Sequence, residues 1–547
     1  MIDLLHQLIV RSAQQTPQAL ALRYQGKELD YASLSAQVTL LAGAYLELGL
    51  ARSERIAVYL EKRTEAVVAM FAASAAGVVF VPVNPLLKPE QVAYILADCN
   101  VRVLVTSARR LAALGDILSL CPDLHTIIVL DAGEASNVSN PSNPSNPSNP
   151  SNVKSAPAAL TLLGWEQALA LEFSGTPHRC IDSDMAAILY TSGSTGKPKG
   201  VVLSHRNLLA GAASVAEYLA NTREDRILAV LPLSFDYGLS QLTSAFSVGA
   251  SVVLINYLMP QDIVRAVSTE NITGLAAVPP LWLLLSQQKW PAASSLRYLT
   301  NSGGAMPRAT LDALRHCFPA AEIFLMYGLT EAFRSSYLPP AELDRRPGSI
   351  GKAIPGVELM VINQRGQPCA AGEPGELVHR GALVALGYWN DREKTAERFR
   401  PVPALLPGLP MAEIAVWSGD TVRMDAEGFL YFIGRDDDMI KVSGYRISPT
   451  EVEEISARFD TLTELAAVGV AHPVSGQAIV LVVRQNAQQS LTPDSIRAAC
   501  QAQFPAYMVP GHIQLEQQDL PRNPNGKIDR KALQLRFGDI FQRSSDA

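Results

Sequence analysis

Residues 188–200 read ILYTSGSTGKPKG. A strand-like ILY runs into a loop holding Gly193, Gly196 and Gly200, the hydroxyls of Thr191, Ser192, Ser194 and Thr195, and the lysines Lys197 and Lys199. Glycines let backbone N–H groups come close to a phosphate, and hydroxyls and lysines add donors and positive charge. So dense a set of donors points to an anion cradle rather than an ordinary turn. It is not a Walker loop, which needs GxxxxGK followed by Ser or Thr and a helix. Only two residues separate Gly193 from Gly196 here, and Pro198 follows Lys197. No GxGxxG follows a strand either, so the dinucleotide fingerprint is missing.

On both sides of this loop, short apolar runs bounded by turn residues alternate with helical segments. RIAVYL (55–60), VVFVPV (78–83), VRVLVTS (101–107), HTIIVLD (125–131), ASVVLIN (250–256) and AEIFLMYG (321–328) predict strands of an α/β fold with mainly parallel sheets. The uncharged run from Ala66 to Val83, AVVAMFAASAAGVVFVPV, just reaches the length of a membrane span. Its alanine content, Gly77 and the β-branched end predict instead a buried helix, a glycine turn and a strand. The opening MIDLLHQLIVRSAQQTP lacks a basic start and a cleavage site, and reads as an amphipathic capping helix.

Composition narrows the function classes. The formal charge is 46 − 52 = −6, against a dedicated nucleic-acid binder. The six cysteines are scattered without a CxxC pair, which argues against a disulfide framework or a zinc site and fits a reducing cytoplasm. Between Ser136 and Asn152 the chain repeats Ser-Asn-Pro units that have no apolar side chains to bury. This reads as a flexible insertion without chemistry, and its deletion is expected to leave turnover and thermal midpoint nearly unchanged. After Arg435 three acids, Asp436-Asp437-Asp438, precede a strand–turn–strand and a helix that Ser448-Pro449-Thr450 would cap. A domain boundary is expected at 436/437, with a small α+β domain over 437–547.

The loop TSGSTGKPKG resembles, at every position, the phosphate signature of the adenylate-forming superfamily of acyl-CoA ligases, peptide-synthetase adenylation domains and luciferases. Six further signatures follow in the family's order: NSGGAMP (301–307), MYGLTEA (326–332), GELVHRGALVALGYW (375–389), WSGDTVRMDAEGFLYFIGRDDD (417–438), IKVSGYRISPTEVE (440–453) and NPNGKIDRKAL (523–533). The resemblance implies a large N-terminal domain of several subdomains and a small mobile C-terminal one. It also implies a two-step reaction. A carboxylate attacks the α-phosphate of ATP to give an acyl-adenylate, and a thiol then displaces AMP.

The resemblance also implies residue roles. Thr191, Ser192, Gly193, Ser194, Thr195, Gly196 and Lys199 would hold the β- and γ-phosphates. Gly303, Gly304 and Ala305 would lie along the adenine and the nascent acyl phosphate, and Tyr327-Gly328 against the base. Thr330 and Glu331 would contact phosphate and Mg²⁺. Asp420, with Arg435, would take the ribose hydroxyls, and Asp437 would be the hinge. Lys527 would enter the site and bridge carboxylate and α-phosphate, so that Lys527, Thr191 and Glu331 stand closest to the reaction. His205, after the loop, reads as a helix-start histidine packed on the loop rather than a general base.

The substrate is less defined. In LPLSFDYGLS (231–240), Phe235 and Asp236 fall where peptide-synthetase domains carry Phe-Asp, whose acid pairs with an amino acid's ammonium. A structural hydrogen bond for Asp236 is the alternative. Leu325 stands where those domains usually have an adenine-contacting Asn. The short tail after NGKIDRKAL contains no carrier domain, which predicts a free-standing ligase acting on a small carboxylic or amino acid. The acceptor would be CoA or the phosphopantetheine of a separate carrier protein, with no nucleic acid and no membrane insertion. The exosortase-associated acyl-CoA ligases and the prolyl or alanyl carrier-protein ligases look most similar. A luciferase-like oxygenase and a catalytically silent binding protein are the readings from other classes.

Overall fold

The computed structural model describes residues 2–131, 160–191, 198–291, 294–402, 411–435, 440–442, 445–453, 455, 459, 462–472, 475–485, 491–504, 506–523 and 526–541. The Ser-Asn-Pro insertion, Ser192–Gly196 of the loop and the expected hinge Asp437 lie outside them. Contacts divide the chain into two compact units. One comprises Met1–Leu359 with His379–Val416, the other Met360–Val378 with Trp417–Ala547. The expected 436/437 boundary thus falls inside the second unit, because Asp420–Met424 pairs antiparallel with Leu430–Arg435 and both belong to it.

The first unit contains two sheets. One runs in the order Gly387–Tyr388, Lys199–Ser204, Met185–Thr191, Val79–Pro82, Arg55–Tyr59, Val101–Ser107, Thr126–Leu130 and Thr161–Gly164. From Met185–Thr191 onward every neighbouring pair is parallel. Both faces of this sheet are buried. Ile56 and Val58 face one core, while Ala57 and Tyr59 face another, as the period of two in a strand requires. The other sheet brings Glu322–Tyr327, Tyr298–Asn301, Gly274–Ala277, Arg226–Ala229, Ser251–Leu254 and Leu20–Tyr24 into parallel register.

All six strands expected from apolar runs are present. The Ala66–Val83 run resolves into the helix Thr64–Ala76, a left-handed Gly77 and the strand Val79–Pro82. Ten residues of that helix are buried, so it is apolar all round because it lies inside the core. No helix among the described residues is long and apolar enough to cross a membrane. The helices Thr64–Ala76 and Asp236–Val248 share the largest core cluster with strands of both sheets, and Phe246 meets Phe71 and Tyr31 edge-on at 5.4 and 6.0 Å.

In the second unit the strands Tyr445–Ile447, Ile440–Val442, Gly476–Gln485 and Leu462–His472 form a sheet, with His512–Glu516 parallel to Gly476–Gln485. The helices Pro449–Glu453, Pro493–Gln503 and Arg530–Phe537 belong to the same unit. The mix of antiparallel strands and helices is the expected α+β character.

Candidate functional site

The phosphate-type loop is carried by an antiparallel hairpin. Met185–Thr191 pairs with Lys199–Ser204, and Thr191 stands opposite Lys199, so the two ends of the loop are fixed side by side. The base of the hairpin is clamped. Trp389 donates its backbone N–H to Gly200 (2.7 Å) and its indole N–H to the Asp98 carbonyl (2.9 Å). Tyr94 donates its hydroxyl to the Pro198 carbonyl (3.4 Å), and Tyr190 donates its hydroxyl to the Asp98 carboxylate. Desolvation, followed by nearby Cys99 and Asp98, holds the Tyr190 phenol above its usual range, so it stays a donor.

Lys199 extends from this hairpin to the face of Tyr388, its ammonium 5.4 Å from the ring centroid. The hydroxyl of Tyr388 donates to Glu331 Oε1 at 2.6 Å. Glu331 lies in the short turn Thr330–Ala332, directly after the strand Glu322–Tyr327, and its carbonyl accepts the N–H of Ala385 (2.9 Å). A lysine, a tyrosine and a carboxylate from distant parts of the chain therefore meet beside the mouth of the loop. Tyr388 is the member that motif reading assigned no role. Its position between a glycine strand and Trp389 in GALVALGYW carried the only signal.

The C-terminal ends of the second sheet's strands supply the other rim. Asn301 ends the strand Tyr298–Asn301, and its side-chain amide donates to the Gly304 carbonyl at 3.0 Å. Gly303 has φ +85°, a conformation that a side chain would strain, and Gly303, Gly304 and Ala305 are all exposed. Tyr327, half-buried, ends its own strand, and its carbonyl accepts the Ser335 N–H at 3.2 Å. Leu325 lies within that strand opposite Asn301. Ligands of open parallel sheets bind outside such strand ends. The donor set fits a nucleotide phosphate with a hard cation. Glu331 and Thr330 offer oxygens, and Mg²⁺ takes few protein ligands beside substrate phosphates.

Asp236 opens the helix Asp236–Val248 after Phe235, where the helix dipole favours an anion. It already has a cation, because Arg334 Nη1 lies 3.0 Å from Asp236 Oδ2. Arg334 is held by unusual local geometry. Phe333, fully buried, has φ +57° and ψ −45°, and the Arg334 N–H returns to the Ala332 carbonyl at 2.6 Å. That is the rare, strained form of the γ-turn. The Phe333 ring lies so close to Gly211 that a Cβ there would stand 2.4 Å from it. Packing of Phe333 over Gly211 thus offsets the strain and turns Arg334 toward Asp236. Its guanidinium sits 4.8 Å over the Tyr237 ring, and Tyr237 in turn hydrogen-bonds Thr300 Oγ1 at 2.6 Å. Arg334 is buried while Asp236 is partly exposed, so removing one partner costs less than the ~3–5 kcal/mol of a fully buried pair. Asp236 thus has the structural partner that the sequence left as the alternative to a substrate ammonium.

His205 begins the helix His205–Tyr218, but its Nδ1 accepts the Leu5 N–H (3.2 Å), so its ring is held by the N-terminal segment. Burial lowers its pKa to about 4, and lowers that of fully buried His379 to about 3. Both are therefore neutral when folded, and neither is poised as a base near neutrality. Their ordinary value is 6.5, so unfolding takes up protons below that pH. The stability they contribute is full above pH 6.5 and is lost as pH falls toward their folded values, by up to about 1.4 kcal/mol per pH unit each. The thermal midpoint is expected to begin falling near pH 6, before carboxylates titrate, and His205→Gln to flatten that onset. A midpoint level down to pH 5 would contradict this.

The second unit carries the remaining expected residues. Asp420, 1% exposed, stands opposite Arg435 in the hairpin register, and its N–H donates to Ser418 Oγ at 3.0 Å. Lys527 is exposed in a tight turn. Its N–H donates to Asn523 Oδ1 (3.1 Å), its carbonyl accepts the Asn523 N–H (2.8 Å), and Gly526 has φ +77°. The turn is anchored at the next helix. Asp529 caps Arg530–Phe537 through the Ala532 N–H, and Arg530 Nη2 contacts both Glu453 oxygens at 2.7 and 2.8 Å.

Residues 9–389 match the family described as AMP-binding enzyme, and residues 451–527 match the AMP-binding enzyme C-terminal domain. Tyrocidine synthase 2 of Brevibacillus parabrevis is 31% identical over 97% of this chain, which spans 13% of that protein. A long-chain-fatty-acid–CoA ligase of Escherichia coli O157:H7 is 28% identical over 97% of this chain and 94% of its own. Among solved structures, the anthranilate CoA ligase AuaEII in complex with anthranoyl-AMP superposes with a TM-score of 0.82 at 25% identity, covering 97% of both chains. ATP-bound MatB of Rhodopseudomonas palustris gives 0.81 at 24% identity, covering 98% of this chain and 99% of its own.

Proposed function

The chain belongs to the AMP-binding enzyme family of adenylate-forming ligases, and on that premise we propose that it activates a carboxylic acid with ATP and passes the acyl group to a thiol. The observation that carries this reading is the Lys199–Tyr388–Glu331 cluster beside the mouth of the donor-rich loop. A carboxylate attacking the α-phosphorus brings two anions together and expels pyrophosphate, so fixed cations and donors must stand where charge accumulates.

Each group has a task. The loop from Thr191 to Lys199 grips the outgoing β- and γ-phosphates. Tyr388 fixes one oxygen of Glu331, leaving the carboxylate oriented for Mg²⁺ together with the Thr330 hydroxyl. The metal when bound would supply charge neutralisation at the phosphates. Gly303, Gly304 and Ala305 leave a flat rim for the adenine, with Tyr327 beside it, and Asp420 with Arg435 takes the ribose. Lys527 approaches the carboxylate and α-phosphate in the first step. Asp437 is the hinge about which the tail turns between steps. The names of the neighbours, an ATP-bound MatB and an anthranoyl-AMP complex, support the nucleotide and the adenylate. CoA and a carrier-protein phosphopantetheine are the candidate acceptors.

Pyrophosphate–ATP exchange over a panel of carboxylic acids tests the first step. Acid-dependent exchange, with thioester formed on adding CoA or a phosphopantetheinylated carrier, is the expected result. Oxygen consumption coupled to adenylate decay would favour the luciferase-like class. An absence of exchange with every acid would remove the ligase reading.

A further inference from the structure

The cation at Asp236 bears on which acids the site takes. Arg334 is 2% exposed. Its Nη1 is shared between Asp236 Oδ2 at 3.0 Å and the Phe333 carbonyl at 2.8 Å, while its Nη2 is buried without a hydrogen-bond partner among the described residues. Tyr237 beneath the guanidinium reaches Thr300 at the end of a parallel strand, and Arg334 follows directly on the Thr330–Ala332 turn. The pair therefore lies on the rim where the strand ends gather the site.

We propose that Arg334 is a specificity residue that withholds Asp236 from substrate ammonium groups, so that the enzyme selects carboxylic acids bearing no ammonium beside the carboxylate. This rests on the ligase reading above. A lone, partly buried carboxylate at position 236 would draw an ammonium in to replace its lost hydration. With the Arg334 guanidinium 3.0 Å away, its charge is already balanced, and an incoming ammonium meets the like charge of the guanidinium. Discrimination thus comes from a repulsive group built into the fold.

The test is pyrophosphate exchange with matched 2-amino, 2-hydroxy and unsubstituted acids of short, medium and long chain, plus aryl acids. The wild type, Arg334→Met, and the double variant Asp236→Asn/Arg334→Met are compared. Wild type is expected to favour acids without the ammonium by about tenfold or more in kcat/KM. Arg334→Met is expected to move that ratio toward the 2-amino acid by about tenfold, and the double variant to lose the wild-type preference as well but to move by less, since the repelling guanidinium is gone and no bare carboxylate remains to attract the ammonium. The double variant also keeps the corner uncharged, so it folds where Arg334→Met fails. In that case, retention of the wild-type preference by the double variant overturns the proposal, and its loss supports it. A wild type that favours 2-amino acids, or a ratio unchanged in Arg334→Met, overturns it while leaving the ligase reading intact. Exchange with no acid at all defeats that reading and this proposal with it.

Discussion

Lys527→Ala is expected to lower acid-dependent pyrophosphate exchange by a factor on the order of 10² to 10³, while thioester formation from a supplied acyl-adenylate stays largely intact. The magnitude is that of removing one fixed donor from a site where negative charge builds up. The selectivity follows from the chemistry. In the first step a carboxylate and a triphosphate must meet, and an ammonium between them reduces their repulsion. In the second the mixed acyl–phosphate anhydride already exists, and a neutral or thiolate sulfur attacks its acyl carbon and displaces AMP. The turn that presents Lys527 is built by backbone and Asn523 contacts, and the helix behind it is held by Arg530 on Glu453. Truncating an exposed side chain leaves those backbone and helix contacts in place. Equal loss of both half-reactions would refute the assignment.

Glu331→Gln is the second large effect. It keeps the volume and the oxygen that accepts from Tyr388, and it removes the charge that makes the group a Mg²⁺ ligand. Exchange is expected to fall on the order of 10²-fold, with a higher Mg²⁺ concentration needed for half-maximal rate. Tyr388→Phe serves as the graded control. It removes a hydrogen bond to a charged acceptor, about 1.5–3 kcal/mol, and should cost on the order of 10- to 10²-fold. Measuring initial exchange rates across a Mg²⁺ titration separates the two. An unchanged Mg²⁺ requirement in Glu331→Gln would show that the carboxylate serves the fold rather than the metal.

What could be read in advance, and what could not, divides along the range of the interactions. The six apolar runs became strands, and Ala66–Val83 became helix, glycine turn and strand, because period and turn residues are local signals. The candidate site residues come from family motifs. Their mutual support does not, because it joins distant parts of the chain. Tyr388 and Glu331 are 57 positions apart, and Arg334 and Asp236 are 98. Phe333 is a further case. Nothing in AFRSS resembles a glycine or asparagine signal for positive φ, and the conformation depends on Gly211 leaving room for the ring. The division of units was likewise hidden. Met360–Val378 joins the unit that contains the tail, through pairings such as Ser418 Oγ on the Leu377 carbonyl (2.7 Å) and the Gly419 N–H on Glu376 (2.9 Å).

The central claim is that a carboxylate displaces pyrophosphate at the α-phosphorus, and product analysis of a single acid-dependent turnover addresses it. Purified enzyme with ATP, Mg²⁺, an accepted acid and a thiol should release AMP and pyrophosphate in step with the thioester. Release of ADP and orthophosphate in their place would contradict the account.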